Sequence, residues 1–237
     1  MAFYWILILV LTHIRIPQLV REAQVSDKTL HVLAYLVLVF LLWFAVNPDS
    51  KVNWRKAVSW WVFLITAGYG VVDEWLQVCI AGRNASIGDF LANLVGVAGG
   101  LVLFTFLSFG PALLVVTGIV IFGLTNLTRS NPAELLPVTN VLFHLAGHGF
   151  FAFLWILHIN HYSRLKAPEL KWLIAVVAVP VCFLLVLKLF PLVRGMEFVL
   201  QDVIVSLGAI WAVVCIALLS TVLTKRSGKQ NGEGYGF

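Results

Sequence analysis

Long apolar stretches, each close to the length of a bilayer crossing, follow one another along almost the whole chain. A helix needs about 20 mostly apolar residues to cross the hydrocarbon layer, and short polar segments separate stretches of that length here. We therefore predict an all-α fold, a polytopic transmembrane helical bundle of about eight spans. The predicted spans are residues 2–19, 29–46, 57–79, 87–108, 111–128, 138–157, 171–190 and 199–223.

The two ends of the chain are less regular than its middle. His13, Arg15 and Pro17 interrupt the first stretch, so seven spans result if that stretch does not insert. Residues 225–237 contain four glycines among polar and charged residues. Such a segment buries little apolar surface, and we predict a disordered carboxyl-terminal tail.

The composition agrees with a lipid environment. Of the 237 residues 61% are hydrophobic and only 11% are charged, with a mean hydropathy of +0.97, whereas a soluble domain is about half apolar and about a quarter charged. The net charge of +5 does not indicate nucleic-acid binding, because the basic residues lie in short loops and not on one face. Their distribution over the loops predicts a multi-pass protein of the cell membrane with both termini in the cytoplasm.

A weak internal repeat relates the two halves of the chain. A shift of 113 residues places His31 on His144, Tyr35 on His148, Asp89 on Asp202 and Asn93 on Ser206. We therefore predict two four-span units, residues 1–108 and 109–224, of which the second has lost several polar positions. Chance matching of apolar stretches is the alternative explanation.

Polar residues gather where predicted spans end on one face of the membrane. With a cytoplasmic amino terminus, this is the extracytoplasmic face. A carboxylate in the centre of a span costs roughly 2.5–3.5 kcal/mol, so intramembrane acids need partners or a function. The candidates for catalysis are His31, Asp73, Glu74 and His144, and the candidates for ligand binding are Arg83, Gln77, Asp89, Asn93 and His31.

Each candidate also has an ordinary structural explanation. Asp89 and Asn93 can cap a helix or join two helices by hydrogen bonds, and Arg83 can anchor the chain at the interface or pair with Asp73 or Glu74. His31 and His144 can be interfacial side chains. Gly96 and Gly100 share a helix face with Asp89 and Asn93 and predict a surface where another helix approaches closely.

No local motif indicates a metal or a cofactor. The chain has no H-E-x-x-H or comparable spacing, and no G-x-S-x-G nucleophile motif surrounds Ser86. Cys79, Cys182 and Cys215 lack metal-binding spacing, and we predict that they are small buried hydrophobic side chains. We predict neither a metal site nor a cofactor.

The polar residues resemble the pattern of the VanZ-like family. Asp27-Lys28-Thr29-Leu30-His31 with Tyr35 is similar to the start of a span in that family, and the second block is more specific. That block comprises Asp73-Glu74-x-x-Gln77, Gly82-Arg83, Ser86 and Asp89-x-x-x-Asn93-x-x-Gly96. The resemblance covers residues 1–107. The chain departs from it at Cys79, where the family often has an aromatic residue, and at Ala81, where it often has proline.

The resemblance implies a bacterial integral membrane protein, in a family that typically has four to five spans. Its founding member is associated with low-level resistance to the glycopeptide teicoplanin. We therefore expect a protein of the cell envelope whose polar cluster recognises a lipid-linked or anionic group, with Arg83 as a phosphate contact. Two alternatives remain: an enzyme on a lipid or envelope substrate, with His31 or His144 as general base, and a proton-coupled transporter or flippase using Asp73 and Glu74.

Overall fold

Seven α-helices make up most of what the computed structural model describes, which is residues 27–48, 50–79, 85–126, 137–193, 195 and 199–232. Within these ranges there is no β-strand. The helices are α1 Asp27–Val46, α2 Ala57–Gln77, α3 Ile87–Phe106, α4 Phe109–Asn126, α5 Pro137–Tyr162, α6 Leu170–Val193 and α7 Leu200–Gly232.

The predicted multi-pass helical bundle is confirmed. Six of the described helices are long and apolar enough to cross a membrane. The seventh, α2, is not among them because Asp73, Glu74 and Gln77 at its end lower its mean hydropathy. The first predicted span, residues 2–19, lies outside the described residues.

Contacts divide the chain into two units, Met1–Leu135 and Leu136–Phe237. Helix α4 contacts α1 and α3, so it packs within the first unit. The sequence repeat places the boundary after residue 108, whereas the boundary between the two compact units lies after Leu135. The predicted four-span duplication concerns the origin of the sequence and stays a prediction.

In the first unit, α1 is the helix on which the other three pack. Its buried face includes Tyr35, Leu38 and Val39, which are fully enclosed together with Val97 and Leu101 of α3. The connection between α1 and α2 is fixed against the end of α3, because the Val52 amide donates a hydrogen bond to the Phe104 carbonyl (3.0 Å). This hydrogen bond fixes the position of the α1–α2 connection relative to the end of α3.

Two glycines of α3 bring that helix close to α1. A Cβ atom at Gly96 would clash with the backbone carbonyl of Val32, and one at Gly100 would lie 2.5 Å from Cγ1 of Val39. The sequence predicted a close helix neighbour at these glycines, and in the structure that neighbour is α1. Close backbone approach of this kind is how small residues drive helix association in lipid.

In the second unit, α5, α6 and α7 contact one another pairwise. Trp172 and Val176 of α6 are buried against Ile156 of α5 and Val214 of α7. Helix α7 continues to Gly232, so its backbone extends into residues 225–237, for which the sequence predicts a disordered tail. Adding residues to an existing helix requires no new nucleation, so α7 can continue beyond the end of the apolar stretch.

Many large apolar side chains are exposed, as a lipid-facing surface requires. On α2 these include Trp60, Trp61 and Trp75, with 50%, 62% and 67% of their surface accessible. The prediction that Cys79, Cys182 and Cys215 are buried is wrong, since all three are exposed and free. Lipid is as apolar as a protein core, so an apolar stretch does not determine which of its side chains face inward.

Candidate functional site

Three helices of the first unit bring polar side chains together around His31. We refer to Asp27, His31, Asp73, Glu74, Asp89 and Asn93 as the His31 cluster. Asp27 and His31 are four residues apart on α1, as are Asp89 and Asn93 on α3, so each pair lies on one helix face. Asp73 and Glu74 belong to the buried residues near the end of α2.

The imidazole of His31 is buried and makes one well-formed hydrogen bond. Its Nδ1 atom lies 2.9 Å from Oδ1 of Asn93, which is fully buried. An amide oxygen accepts a hydrogen bond, so Nδ1–H of His31 is the donor to Asn93. This Nε2 atom lies 3.9 Å from Oδ1 of Asp27.

Glu74 connects the cluster to the segment that precedes α3. Its Oε2 atom accepts a hydrogen bond from the Ser86 amide (3.1 Å), while Oε1 lies 4.0 Å from Nδ1 of His31. Only 6% of Glu74 is exposed, and Oε1 has no hydrogen-bond partner. Buried polar atoms usually have partners, so this oxygen faces the imidazole with its bonding capacity unused.

Two further amide groups in this region are buried without partners. Nδ2 of Asn93 and Nε2 of Gln77 make no hydrogen bond, although both residues are at least 98% buried. Gly70 of α2 lies against Asn93 and Tyr35, since a Cβ atom there would be 3.5 Å from both side chains. Leaving a buried polar group unsatisfied costs about 1–3 kcal/mol, so this region holds more polar capacity than its internal contacts use.

The His31 cluster is rich in negative charge. Asp27, Asp73, Glu74 and Asp89 are all close to the one imidazole, and the ligand atoms form two groups whose members lie within 4.8 Å of one another. The groups are Asp27, His31 and Asp89, and His31, Asp73 and Glu74. Among the ion pairs between described residues, none joins Asp27, Glu74 or Asp89 to a lysine or an arginine.

The second unit contains a corresponding group of side chains. We refer to Asn140, His144, His148, Lys188, Asp202 and Ser206 as the His144 cluster. Nε2 of His144 lies 3.3 Å from Oδ2 of Asp202, and Nδ1 lies 3.2 Å from Oγ of Ser206. Asn140 donates to Oδ1 of Asp202 (2.7 Å), and Nζ of Lys188 lies 2.9 Å from Oδ2.

The two clusters pair residues at the same positions of the sequence repeat. The shift of 113 residues carries His31 and Asn93, which are hydrogen-bonded, onto His144 and Ser206, which are also hydrogen-bonded. It likewise carries Asp27 and Asp89 onto Asn140 and Asp202. A polar pair thus recurs at positions related by the repeat, and the duplication itself stays a prediction.

The two clusters differ in how their charge is balanced. In the second unit a single carboxylate, that of Asp202, receives hydrogen bonds from Lys188 and Asn140 and contacts His144. In the first unit, α2 contributes two carboxylates, Asp73 and Glu74, where α6 of the second unit contributes Lys188. The carboxylate of the His144 cluster is therefore paired with a lysine, whereas the ion pairs between described residues join no lysine or arginine to Asp27, Glu74 or Asp89.

The structure thus brings together most, but not all, of the residues singled out in the sequence. His31, Asp73, Glu74, Asp89 and Asn93 form one cluster, Gln77 is buried on the same helix as the acids, and His144 belongs to the other unit. Arg83 lies outside the described residues, and its role as a phosphate contact stays a prediction.

Sequence reasoning missed Asn140 and misjudged Lys188. Lys188 lies near the end of an apolar stretch and was taken for a loop charge, although it is 12% exposed and bonded to Asp202. The repeat contained the signal for Asn140, because the shift that aligns the histidines also places it on Asp27.

Comparison with known proteins gives a match in the amino-terminal part of the chain. Residues 2–108 match the model of the VanZ/LLP1 family. No curated protein and no solved structure matches the chain. The match contains all six residues of the His31 cluster, as well as Gly96 and Gly100. Residues 2–108 of this multi-pass membrane protein are thus similar to the VanZ/LLP1 family, in agreement with the resemblance found in the sequence, and the rest of the chain lies outside this match.

Proposed function

We propose that the protein acts at the cell envelope and that its His31 cluster recognises a polar group of an envelope component. The component is a lipid-linked precursor or another molecule with an anionic or polar headgroup. Its recognition lowers susceptibility to glycopeptide antibiotics of the teicoplanin type. The match of residues 2–108 to the VanZ/LLP1 family supports the setting, and the cluster supports the site.

The observation that carries this proposal is the unused polar capacity around His31. Glu74 Oε1, Asn93 Nδ2 and Gln77 Nε2 are buried without hydrogen-bond partners, at the end of helices that are otherwise apolar. A bound polar group that satisfied these atoms would offset a penalty of about 1–3 kcal/mol for each. A purely structural role for these side chains gives no reason to leave them unsatisfied.

The orientation of the chain is part of the proposal. With cytoplasmic termini in the inner membrane, the end of α2 and the starts of α1 and α3 lie at the extracytoplasmic face. Envelope precursors and glycopeptides are both present there. Arg83 is three residues before Ser86, whose amide is bonded to Glu74, and we assign it the contact to an anionic group.

Replacing Arg83 with alanine, or His31 with glutamine, is expected to abolish protection against teicoplanin. Cells expressing the wild type should tolerate more antibiotic than cells with an empty vector, and each variant should return tolerance to the vector value. The measurement is the minimal inhibitory concentration at equal amounts of protein in the membrane. Arg164→Ala, at an exposed position of the second unit, is the matched control and should protect fully.

Two outcomes would contradict this proposal. If the wild type gives no protection, the antibiotic role does not extend to this chain. If the Arg83 and His31 variants protect as well as the wild type, the His31 cluster is not the site.

An enzymatic function is the second candidate. In the His144 cluster the hydroxyl of Ser206 contacts the imidazole of His144, and that imidazole contacts the carboxylate of Asp202. The distances are compatible with Ser206 Oγ–H donating to His144 Nδ1 (3.2 Å) and His144 Nε2–H donating to Asp202. The same hydroxyl also lies 3.1 Å from Nδ1 of His148. A nucleophile bonded to a base that an acid orients is the arrangement of serine hydrolases. Ser206 is fully buried, so a substrate would reach it only after α5 and α7 separate locally.

A fluorophosphonate probe, which reacts with activated serines, tests this second candidate. An enzyme should be labelled in membranes at Ser206, and labelling should disappear in Ser206→Ala but persist in Ser220→Ala, which removes an exposed hydroxyl of the same helix. Absence of labelling in the wild type would leave the His144 cluster with a structural role.

A further inference from the structure

We propose that the His31 cluster binds a divalent transition-metal cation of the zinc type. The ligands are Nε2 of His31 and the carboxylates of Asp27 and Asp89, and Glu74 and Asp73 supply further negative charge on the other side of the ring. The inference rests on the proposed function only in placing the ligand at the same cluster. It adds the chemical nature of what binds there.

The first argument is the donor set. Imidazole nitrogen together with carboxylate oxygen is the ligand combination that zinc and related divalent metals prefer. Asp27, His31 and Asp89 offer three such atoms within 4.8 Å of one another. Zinc ligands lie about 2.0–2.2 Å from the metal, so small rotations of these side chains would bring all three to one ion, with a position left open.

The second argument is the orientation of His31. Its Nδ1 atom lies 2.9 Å from Asn93 Oδ1, which leaves Nε2 facing Asp27 Oδ1 at 3.9 Å. Nε2 and the Asp27 carboxylate therefore border the same space, where a cation would contact both. A metal-binding histidine usually donates its other N–H group to an oxygen that fixes the ring, and Asn93 has that position.

The third argument is the partnerless oxygen of Glu74. Oε1 is buried, has no hydrogen-bond partner and lies 4.0 Å from the imidazole. A cation on the far side of the ring makes the Nδ1–H group more acidic and draws this carboxylate towards it.

The fourth argument comes from the second unit. At the positions related by the repeat, Lys188 Nζ lies 2.9 Å from Asp202, beside His144. A positive charge therefore occupies the corresponding place in the His144 cluster. Lys188 has no counterpart in the first unit, because the shift places it on Trp75, which is 67% exposed. In the first unit, a metal cation bound from solution would provide the positive charge that Lys188 provides in the second unit.

The starts of α1 and α3 alone do not explain the cluster. A carboxylate in the first turn of a helix is favourable because of the helix dipole, and this accounts for Asp27 and Asp89 individually. It does not account for the buried His31, whose Nε2 atom faces Asp27 Oδ1 at 3.9 Å. It also does not account for the two buried acids of α2, which lie at the opposite end of a helix.

The test is metal binding by the full chain, purified in detergent with any histidine tag removed. We expect about one equivalent of Zn²⁺ or Co²⁺ per chain by isothermal titration, and a visible d–d absorption band for Co²⁺ coordinated by nitrogen and oxygen. His31→Gln should remove the band, and Asp89→Asn should weaken binding at least tenfold. Asp202→Asn, the equivalent change in the second unit, should leave binding unchanged.

The outcomes separate the metal from the competing explanations. No binding in the wild type, or equal binding in His31→Gln, would overturn the proposal; binding of a lipid amine in place of a metal would also do so. If Glu74→Gln abolishes binding while Asp89→Asn does not, the ligand assignment is wrong and the buried group of His31, Asp73 and Glu74 holds the ion.

Folding is checked separately, because added Zn²⁺ should raise the melting temperature of the wild type but not that of Asp89→Asn. Metal binding without any effect on teicoplanin susceptibility would contradict the proposed function and leave the metal site intact. If the His31 and Arg83 variants lose protection but the wild type binds no metal, the metal site is contradicted and the proposed function stands.

Discussion

Replacing Lys188 with methionine is expected to destabilise the second unit by about 3 kcal/mol. The ammonium group is hydrogen-bonded to Asp202 at 2.9 Å, and both side chains are almost fully buried. Removing one partner of a buried ion pair costs about 3–5 kcal/mol, because the other charge is left uncompensated. The lower value applies here since Asn140 and His144 still contact the carboxylate.

The double variant Lys188→Met, Asp202→Asn distinguishes this effect from loss of packing. Removing both charges should restore most of the lost stability, because no charge then remains buried without a partner. The measurement is the free energy of unfolding in mixed micelles. Lys171→Met, at an exposed position of the same helix, should have no effect. A Lys188→Met protein as stable as the wild type would show that Asp202 does not depend on the lysine.

Replacing Gly96 with alanine is expected to destabilise the first unit by about 1–3 kcal/mol, the usual range for overpacking. The added Cβ would clash with the Val32 carbonyl and come within 3.1 Å of the Leu36 amide. Both are backbone atoms, so α1 and α3 would have to move apart. Because His31 and Asn93 are bonded across the same interface, the variant should also weaken any binding at the His31 cluster.

Gly99→Ala is the matched control for this variant. It lies three residues further along α3, and a Cβ atom there would meet nothing within 4 Å. Alanine has the higher helix propensity, so this variant should be as stable as the wild type or slightly more so. The melting temperature in detergent checks both variants. Equal melting temperatures for Gly96→Ala and the wild type would contradict the close packing of α1 and α3.

The helices could be predicted well from the sequence, because lipid imposes a length and an apolar composition on each span. The spacing of Asp89, Asn93, Gly96 and Gly100 also correctly indicated one shared face of α3. The identity of the helix packed against that face was not available from spacing. Glycines on one face of α3 allow any neighbouring helix to approach closely. In the structure, tertiary packing places α1, and not α2, in the tightest contact with Gly96 and Gly100.

The candidate site could be predicted in part for a similar reason. A buried acid or histidine in an apolar stretch is conspicuous, so His31, Asp73, Glu74 and His144 could be found in the sequence. Lys188 could not, because a lysine near the end of a span is as compatible with the interface as with an ion pair. The grouping of Asp27, His31 and Asp89 likewise joins residues from two helices, and no local motif spacing could indicate it.

The exposed tryptophans of α2, which the sequence predicts to be a membrane span, would also affect the membrane around the protein. Trp60 and Trp61 lie near one end of the helix and Trp75 near the other, at a separation of about 21–23 Å for a rise of about 1.5 Å per residue. Indole rings favour the two membrane interfaces, but the hydrocarbon layer is about 30 Å thick. This hydrophobic mismatch leaves α2 little room to tilt and favours local thinning of the bilayer. Lipid headgroups would then descend to the depth of Asp73 and Glu74, which immediately precede Trp75.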